Sequence, residues 1–512
     1  MSKKGANLLK RGYRRGAPFP LLYERWDLLT LLAIVLLGAA LRFYALGFQS
    51  LWGGELASWD SSERDTISRV VRSGTQPPLY FLILHFAQWI FGDSEWALRL
   101  PSAVAGWLCI PAIYLLGKRL YSEREGLIAA LLVAVLWAPV YFSQEARPYS
   151  MLILLSILTS YLWWDLMLGL RYRGDLARRE AALYVVCAVL CAYTHYFGLL
   201  LVMLQGVALA ALARGTLRRA MLLYVPVALA YLPWLPGMIY QLEHGERSGT
   251  SSPILQALPG YFGFLFGRSG LLVLAAWTLL AFLLLRGWDD LRPRRKGGKI
   301  PPGLLLAAWA LGPFVVACVV SLLSIDLLTD ENLLVSLPAV LLLVARSVTR
   351  TFSGKAAGVF QGTAAAGLAA ASLAYLLLSM DYYTTTTKAQ FREAAAYVAA
   401  NEDQSTLVVR CDAGDGLDYY LKTGETNDAR ACKAEDFEEV ASRVREHGYR
   451  EVFHFISQPE PDQQLISMLQ RTFQPVRYER FYGASVVVYE INQTPPTNLP
   501  QPKPPDSLPR QQ

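Results

Sequence analysis

The chain has 512 residues, 54% of them hydrophobic and 17% charged, where an ordinary soluble chain carries about a quarter charged residues. Its 48 Lys and Arg against 41 Asp and Glu give a net charge of +7, but the cations lie in short clusters between apolar runs rather than along one face. That arrangement excludes a soluble enzyme and a nucleic-acid-binding protein, and it points to a chain that crosses a bilayer many times.

In chain order, a basic N-terminus over residues 1–27 precedes an apolar run at 28–48. The run is about twenty residues long and no small-residue cleavage site follows it, so it reads as a retained span and not as a signal peptide. Within residues 49–96, the stretch Leu79 to Phe91 is apolar but short; it opens on Pro77 and Pro78 and carries His85 and Gln88. Its length predicts an interfacial or re-entrant helix that does not span. Further spans are predicted over 97–117, 127–142, 149–168, 181–195, 198–213, 220–240, 269–286, 303–323, 332–347 and 358–379. Arg/Lys-rich stretches at the start, 118–124, 171–179, 214–219, 286–299 and 346–355 share the cytoplasmic side if positive charge stays inside. Each neighbouring pair of them then encloses an even number of crossings, which holds only if 79–91 returns to the side it came from.

The expected architecture is a polytopic α-helical membrane protein of about eleven transmembrane helices. Residues 28–380 form the transmembrane domain with an outer loop at 49–96, residues 381–491 a small extracytoplasmic α/β domain, and residues 492–512 a disordered Pro/Gln-rich tail. In the α/β domain, Phe391 to Ala400 and Phe437 to Arg445 have helical periodicity, and Thr406 to Arg410, Val452 to Phe455 and Ser485 to Ile491 read as strands. Cys109, Cys187, Cys191 and Cys318 lie in apolar runs; Cys411 and Cys432 lie in the exterior domain, where an oxidising compartment would let them pair.

Polar residues gather on the predicted outer loops. Glu55 falls a few residues beyond the first span, near headgroup depth, with Asp60, Glu63 and Asp65 after it. A carboxylate there can take a proton from an acceptor hydroxyl or amine, or bind a divalent ion that bridges phosphate oxygens; a solvated surface acid is the plainer alternative. The turn Ser143-Gln144-Glu145-Ala146-Arg147-Pro148-Tyr149 supplies an arginine suited to bidentate phosphate recognition, or to an ion pair with Glu145. His195 lies in another outer hairpin, where a lone histidine is more often structural than catalytic.

Five segments in order carry a resemblance: Leu41-Arg42-Phe43-Tyr44 before Ser50-Leu51-Trp52; Gln76-Pro77-Pro78-Leu79-Tyr80; Leu98-Arg99-Leu100-Pro101-Ser102; the Ser143 to Tyr149 turn; and Tyr193-Thr194-His195-Tyr196-Phe197-Gly198. Together they resemble the membrane glycosyltransferases of GT-C fold, which include the protein O-mannosyltransferases and the transferases that place aminoarabinose on lipid A. The resemblance spans about residues 28 to 491. It implies inverting transfer of a sugar from a polyprenyl-phosphate donor to a glycan, lipid or protein acceptor, on the outer face of a bacterial inner membrane. It further implies that Glu55 is the second member of an acidic pair at the reaction centre and carries the catalysis. Gln76 and Tyr80 would line the donor, with Arg147, Glu145 and His195 near its phosphate, and a divalent cation is left open.

The chain departs from that pattern at polar positions. Gly54 stands where the family has its aspartate, Gln76 stands where a histidine is common, and Glu331-Asn332 replaces an Arg-Tyr near the last outer loop. Asp60 or Glu63 would be the substitute carboxylates. The alternative reading is a degenerate relative that binds lipid or glycan and serves as a protein partner in envelope polysaccharide assembly.

Overall fold

The computed structural model describes residues 25–63, 68–70, 76–212, 217–244, 260–261, 263–266, 269–286, 290, 300–322, 329–352, 356–410, 416–421, 427–457 and 462–491. Residues 1–24, the tail from 492, Asp65 and Cys411 lie outside that set. The apolar runs fold as helices because lipid offers no replacement for an unmade backbone hydrogen bond. They are α1 (Arg25–Phe43), α4 (Glu95–Leu120), α5 (Glu123–Val135) with α6 (Trp137–Tyr141), α7 (Tyr149–Arg173), α8 (Arg178–Thr194), α9 (Tyr196–Leu212), α10 (Leu217–Tyr231) with α11 (Leu235–His244), α12 (Gly270–Arg286), α13 (Pro302–Ser321), α14 (Leu337–Thr351) and α15 (Ala357–Ala374). Among the described residues, six helices are long and apolar enough to cross a membrane by length and composition, or seven if the bent α5–α6 pair is one span.

That bend, 61°, has a local cause. Pro139 has no N–H for the carbonyl four residues back, so the helix opens near Leu136. Two of the carbonyls freed there are taken by the buried guanidinium of Arg42, which donates from Nη2 to Val133 O at 2.7 Å and from Nη1 to Ala134 O at 3.1 Å, with Gly38 O and Ser143 Oγ as further acceptors. The cation sits at the C-terminus of α5, where the helix dipole favours positive charge.

Between α1 and α4 lie two shorter helices, α2 (Gly53–Ser62) and α3 (Leu79–Phe91). At about 1.5 Å per residue α3 extends about 20 Å, short of the roughly 30 Å hydrocarbon thickness. Before it, the Leu51 N–H donates to the Tyr420 hydroxyl at 2.7 Å; after it, the Tyr419 hydroxyl donates to Asp93 O and Arg392 pairs with Glu95 at 3.1 Å. The segment that holds α2 and α3 therefore begins and ends at the end of the bundle that bears the C-terminal domain. The helix buries Tyr80, Phe81, Leu84 and Ala87 and leaves Phe86, Trp89, Ile90 and Phe91 exposed. The opposite end of the bundle carries the ion pairs Lys118–Glu123, Arg119–Asp165, and Arg346 with both Glu125 and Asp290.

The C-terminal domain holds a five-stranded sheet of order β2-β1-β3-β5-β4, built from β1 (Thr406–Arg410), β2 (Asp428–Arg430), β3 (Glu451–Ile456), β4 (Gln474–Phe481) and β5 (Ala484–Glu490). β1 pairs in parallel with β2 and β3, and β5 runs antiparallel to β3 and β4. One face, with Leu407, Val409, Val452 and Val487, packs on α17 (Phe437–His447) and α18 (Gln463–Thr472). The other face, with Val408, Phe453, Phe455 and Val486, packs on α16 (Phe391–Asn401) and on Leu51 and Leu56 of the membrane domain. Burial on both faces is why the middle of β1, Leu407-Val408-Val409, is apolar without alternation. β2 and β4 are absent from the strands expected above: β2 has three residues, and β4 is a charged edge strand with Val476 and Tyr478 exposed. Cys432 is disulfide-bonded.

Candidate active site

The polar centre is assembled from α2, the start of α4, the turn between α6 and α7, and the strap that leads from α15 into the C-terminal domain. Glu55 lies in the first turn of α2, where the helix dipole favours a carboxylate. It is fully buried. Arg99 donates to both of its oxygens, Nε to Oε1 at 2.7 Å and Nη2 to Oε2 at 2.8 Å, while the Ala146 N–H reaches Oε1 at 2.9 Å and Lys388 Nζ reaches Oε2 at 3.1 Å. Burial alone would raise the carboxyl pKa, but the charges of Arg99 and Lys388 outweigh it and hold it at about 2. A carboxylate so low and so fully bonded is a weak base.

Glu145 is the other buried carboxylate of the centre. Neither of its oxygens accepts a hydrogen bond of normal geometry, and Lys388 Nζ lies 3.5 Å from Oε1. Burial pushes its pKa up, Lys388 opposes that, and the Glu55 charge adds to it. Of the two acids, Glu145 is the one whose pKa moves toward the range where a general base works.

Arg147 donates from Nη1 to Gly54 O and from Nη2 to the Tyr149 hydroxyl, each at 3.1 Å, and its Nε is buried with no partner. Its guanidinium carbon sits 5.4 Å from the centroid of the Tyr149 ring, and the His195 ring lies against the same tyrosine at 5.8 Å. The Phe197 N–H donates to His195 Nδ1 at 3.1 Å, which assigns the proton of the neutral ring to Nε2, and that nitrogen is also buried without a partner. Tyr80 bonds Ser102 Oγ at 2.8 Å, and Ser102 donates to Arg147 O at 2.8 Å, so α3 supports the turn that carries Arg147. Gln76 is buried with its Oε1 unpartnered.

Burial, and then the Arg147 charge, lower the His195 pKa to about 3 from 6.5. Below pH 6.5 the unfolded chain binds a proton that the folded chain refuses, so the stability this residue contributes is complete above 6.5 and is lost as pH falls toward 3. His195→Asn is expected to melt below the native protein at neutral pH, with the gap closing by pH 4. A gap that does not change over that range would show that His195 is not held neutral.

Asp60 and Glu63 are partly exposed at the far end of α2 and pair with Arg69 at 2.5 and 3.5 Å, outside the buried centre. The structure does not bring them in as substitute carboxylates, because Asp60 projects from a different face of α2 than Glu55. A Cβ at Gly54 would lie 2.6 Å from Cη2 of Trp52, so the indole fills the space of the aspartate that the resemblance expects. Glu331 is close enough to Arg147 to favour its charge, where the resemblance expects an arginine. The donors do not fit a divalent cation: Glu55 is taken up by two cations, and among the described residues no three His, Cys, Asp or Glu groups come together. Arg99 and Lys388 were not among the predicted site residues. A cation near the start of an apolar helix is a usable signal for Arg99; Lys388, within Thr387-Lys388-Ala389, has none.

Residues 75–240 match the family described as dolichyl-phosphate-mannose-protein mannosyltransferase. No curated protein matches the chain in sequence. Among solved structures, ArnT from Cupriavidus metallidurans in the apo state aligns with a TM-score of 0.59 at 14% identity, covering 90% of this chain and 97% of that one. The same protein bound to undecaprenyl phosphate aligns at 0.58 and 14% identity, over 91% and 98%. The oligosaccharyltransferase of Archaeoglobus fulgidus, tethered to an acceptor peptide, aligns at 0.53 and 14% identity, over 93% and 75%.

Proposed function

Because the chain is a multi-pass membrane protein of the GT-C fold, we propose that it transfers a sugar from a polyprenyl-phosphate donor to an acceptor at the outer face of a bacterial inner membrane. The observation that carries this reading is the pair of unpartnered buried donors, Arg147 Nε and His195 Nε2, on either side of Tyr149. Two N–H groups held without partners in a dry site are the arrangement that a phosphate leaving group needs as its charge develops. The neighbour bound to undecaprenyl phosphate supports a lipid phosphate as the group received there. The outer-face assignment is supported by the cationic ends of the opposite loops and by the disulfide at Cys432, since disulfides persist in oxidising compartments.

In this reading the acceptor hydroxyl or amine attacks the anomeric carbon from the side opposite the phosphate, which inverts the configuration. Glu145 takes the proton, Arg147 and His195 hold the departing lipid phosphate, and Glu55 with Arg99 fixes the turn from which Glu145 and Arg147 project. The test is transfer by the purified protein in liposomes supplied with polyprenyl-phosphate sugars, alongside binding of undecaprenyl phosphate. Glu145→Gln is expected to lower turnover by about 10²–10⁴-fold, the usual contribution of a general base, with lipid-phosphate binding retained. Binding without turnover in the native protein would leave a lipid-binding relative; absence of both would remove the reading.

A further inference from the structure

We propose that Lys388, delivered by the exterior domain, is a positioning residue of the reaction centre: it bridges Glu55 and Glu145 and keeps Glu145 able to accept a proton. The proposal rests on the role given above to Glu145. Lys388 Nζ lies 3.1 Å from Glu55 Oε2, 3.1 Å from Gln144 O and 3.5 Å from Glu145 Oε1, and the residue is buried. One ammonium therefore ties α2 to the turn that carries both Glu145 and Arg147.

The strap that presents it is fixed from both sides. From the membrane domain, Gln49 Oε1 accepts the backbone N–H groups of Thr387 and Lys388 at 3.0 and 2.9 Å and the Thr387 hydroxyl at 3.0 Å, and the Ser50 hydroxyl donates to Ala389 O. From the exterior domain, the Gln390 N–H donates to Tyr482 O at 2.8 Å and the Tyr482 N–H returns to Gln390 Oε1 at 2.9 Å. Gly483 turns at φ +71°, and a Cβ there would meet that of Ala389 at 2.8 Å. A side chain at 483 would push directly on the residue after Lys388. This fixed placement is what a lysine needs to act as a counter-charge at one chosen atom, because its own stem is flexible.

The groups facing Glu145 are Lys388 from the strap, Glu55 from α2, and Tyr141 and Arg147 from its own segment, with Tyr382 also within electrostatic range. Removing the Lys388 charge takes away a cation and leaves the Glu55 anion. Protonated Glu145 is then favoured, and a protonated carboxyl cannot serve as base. The loss is confined to the acid side, because at higher pH the carboxylate forms again.

The test compares native protein, Lys388→Met, Lys388→Arg and Gln49→Leu in liposomes, measuring kcat/KM against pH. Infrared difference spectra are recorded alongside, following the protonated-carboxyl band identified by its loss in Glu145→Gln. In Lys388→Met the acid limb of the profile and the carboxyl titration both move to higher pH, with a loss of about tenfold or more at the acid end and recovery at the alkaline end. Lys388→Arg keeps the native profile, and Gln49→Leu, which frees the strap without touching a charge, shifts it in the same direction by less. A uniform loss across pH, or an unmoved carboxyl band in Lys388→Met, overturns the proposal. If Lys388→Met does not survive purification, Gln49→Leu decides on the same two readouts. A native protein that transfers no sugar but whose carboxyl band moves in Lys388→Met would refute the transferase reading and leave the Lys388–Glu145 coupling standing.

Discussion

Glu55→Gln is expected to destabilise the purified protein by about 3–5 kcal/mol, the usual result of removing one partner from a buried ion pair, and to abolish transfer as a consequence. Arg99 and Lys388 are both buried, and without the anion between them they lose their common counter-charge. The pH dependence follows from the depressed carboxyl pKa. Glu55 contributes stability above the unfolded value of 4.5, and that contribution is lost as pH falls toward its folded value of about 2. The melting temperatures of native and variant protein should therefore differ most at neutral pH and converge in strong acid. In Glu55→Gln combined with Lys388→Met, the losses should be less than additive, because the second change removes a charge the first left stranded. A variant that melts like the native protein while losing transfer would return Glu55 to direct chemistry.

Arg147→Ala is expected to cost about 10²–10³-fold in turnover, the magnitude seen when one preorganised donor to a developing anion is removed. Lipid-phosphate binding should weaken as well, since Arg147 is one of the two donors without partners. Arg147→Lys should recover only part of the rate, because an ammonium cannot bond Gly54 O, the Tyr149 hydroxyl and a phosphate with the geometry of a planar guanidinium. Isothermal titration with undecaprenyl phosphate and the liposome assay measure the two effects separately. Native rates in Arg147→Ala would place the phosphate elsewhere.

Length and hydropathy made the helical bundle legible, and the shortness of the helix over Leu79–Phe91 as well, because both depend on quantities that sequence carries directly. The break at Leu136 was not, since it needs Arg42 from a distant helix to receive the freed carbonyls. The candidate site divides the same way. Glu55, Glu145, Arg147 and His195 could be named from their places beside span ends, but the function assigned to Glu55 could not. Its partners lie 44 residues away at Arg99 and 333 away at Lys388, and a carboxylate's proton affinity is set by such neighbours. Lys388 itself sits in a threonine-rich connector that resembles any linker until the fold brings it beneath the outer loop.

The second face of the C-terminal sheet constrains the order in which the molecule is made. Val408, Phe453, Phe455 and Val486 pack against α16 and against Leu51 and Leu56, which precede them by more than three hundred residues. A later part of the chain thus finishes its hydrophobic core on a surface laid down by an earlier one. Formed before that surface is in place, the sheet would present a bare apolar wall to water, so its maturation waits on the segments that carry Leu51 and Leu56.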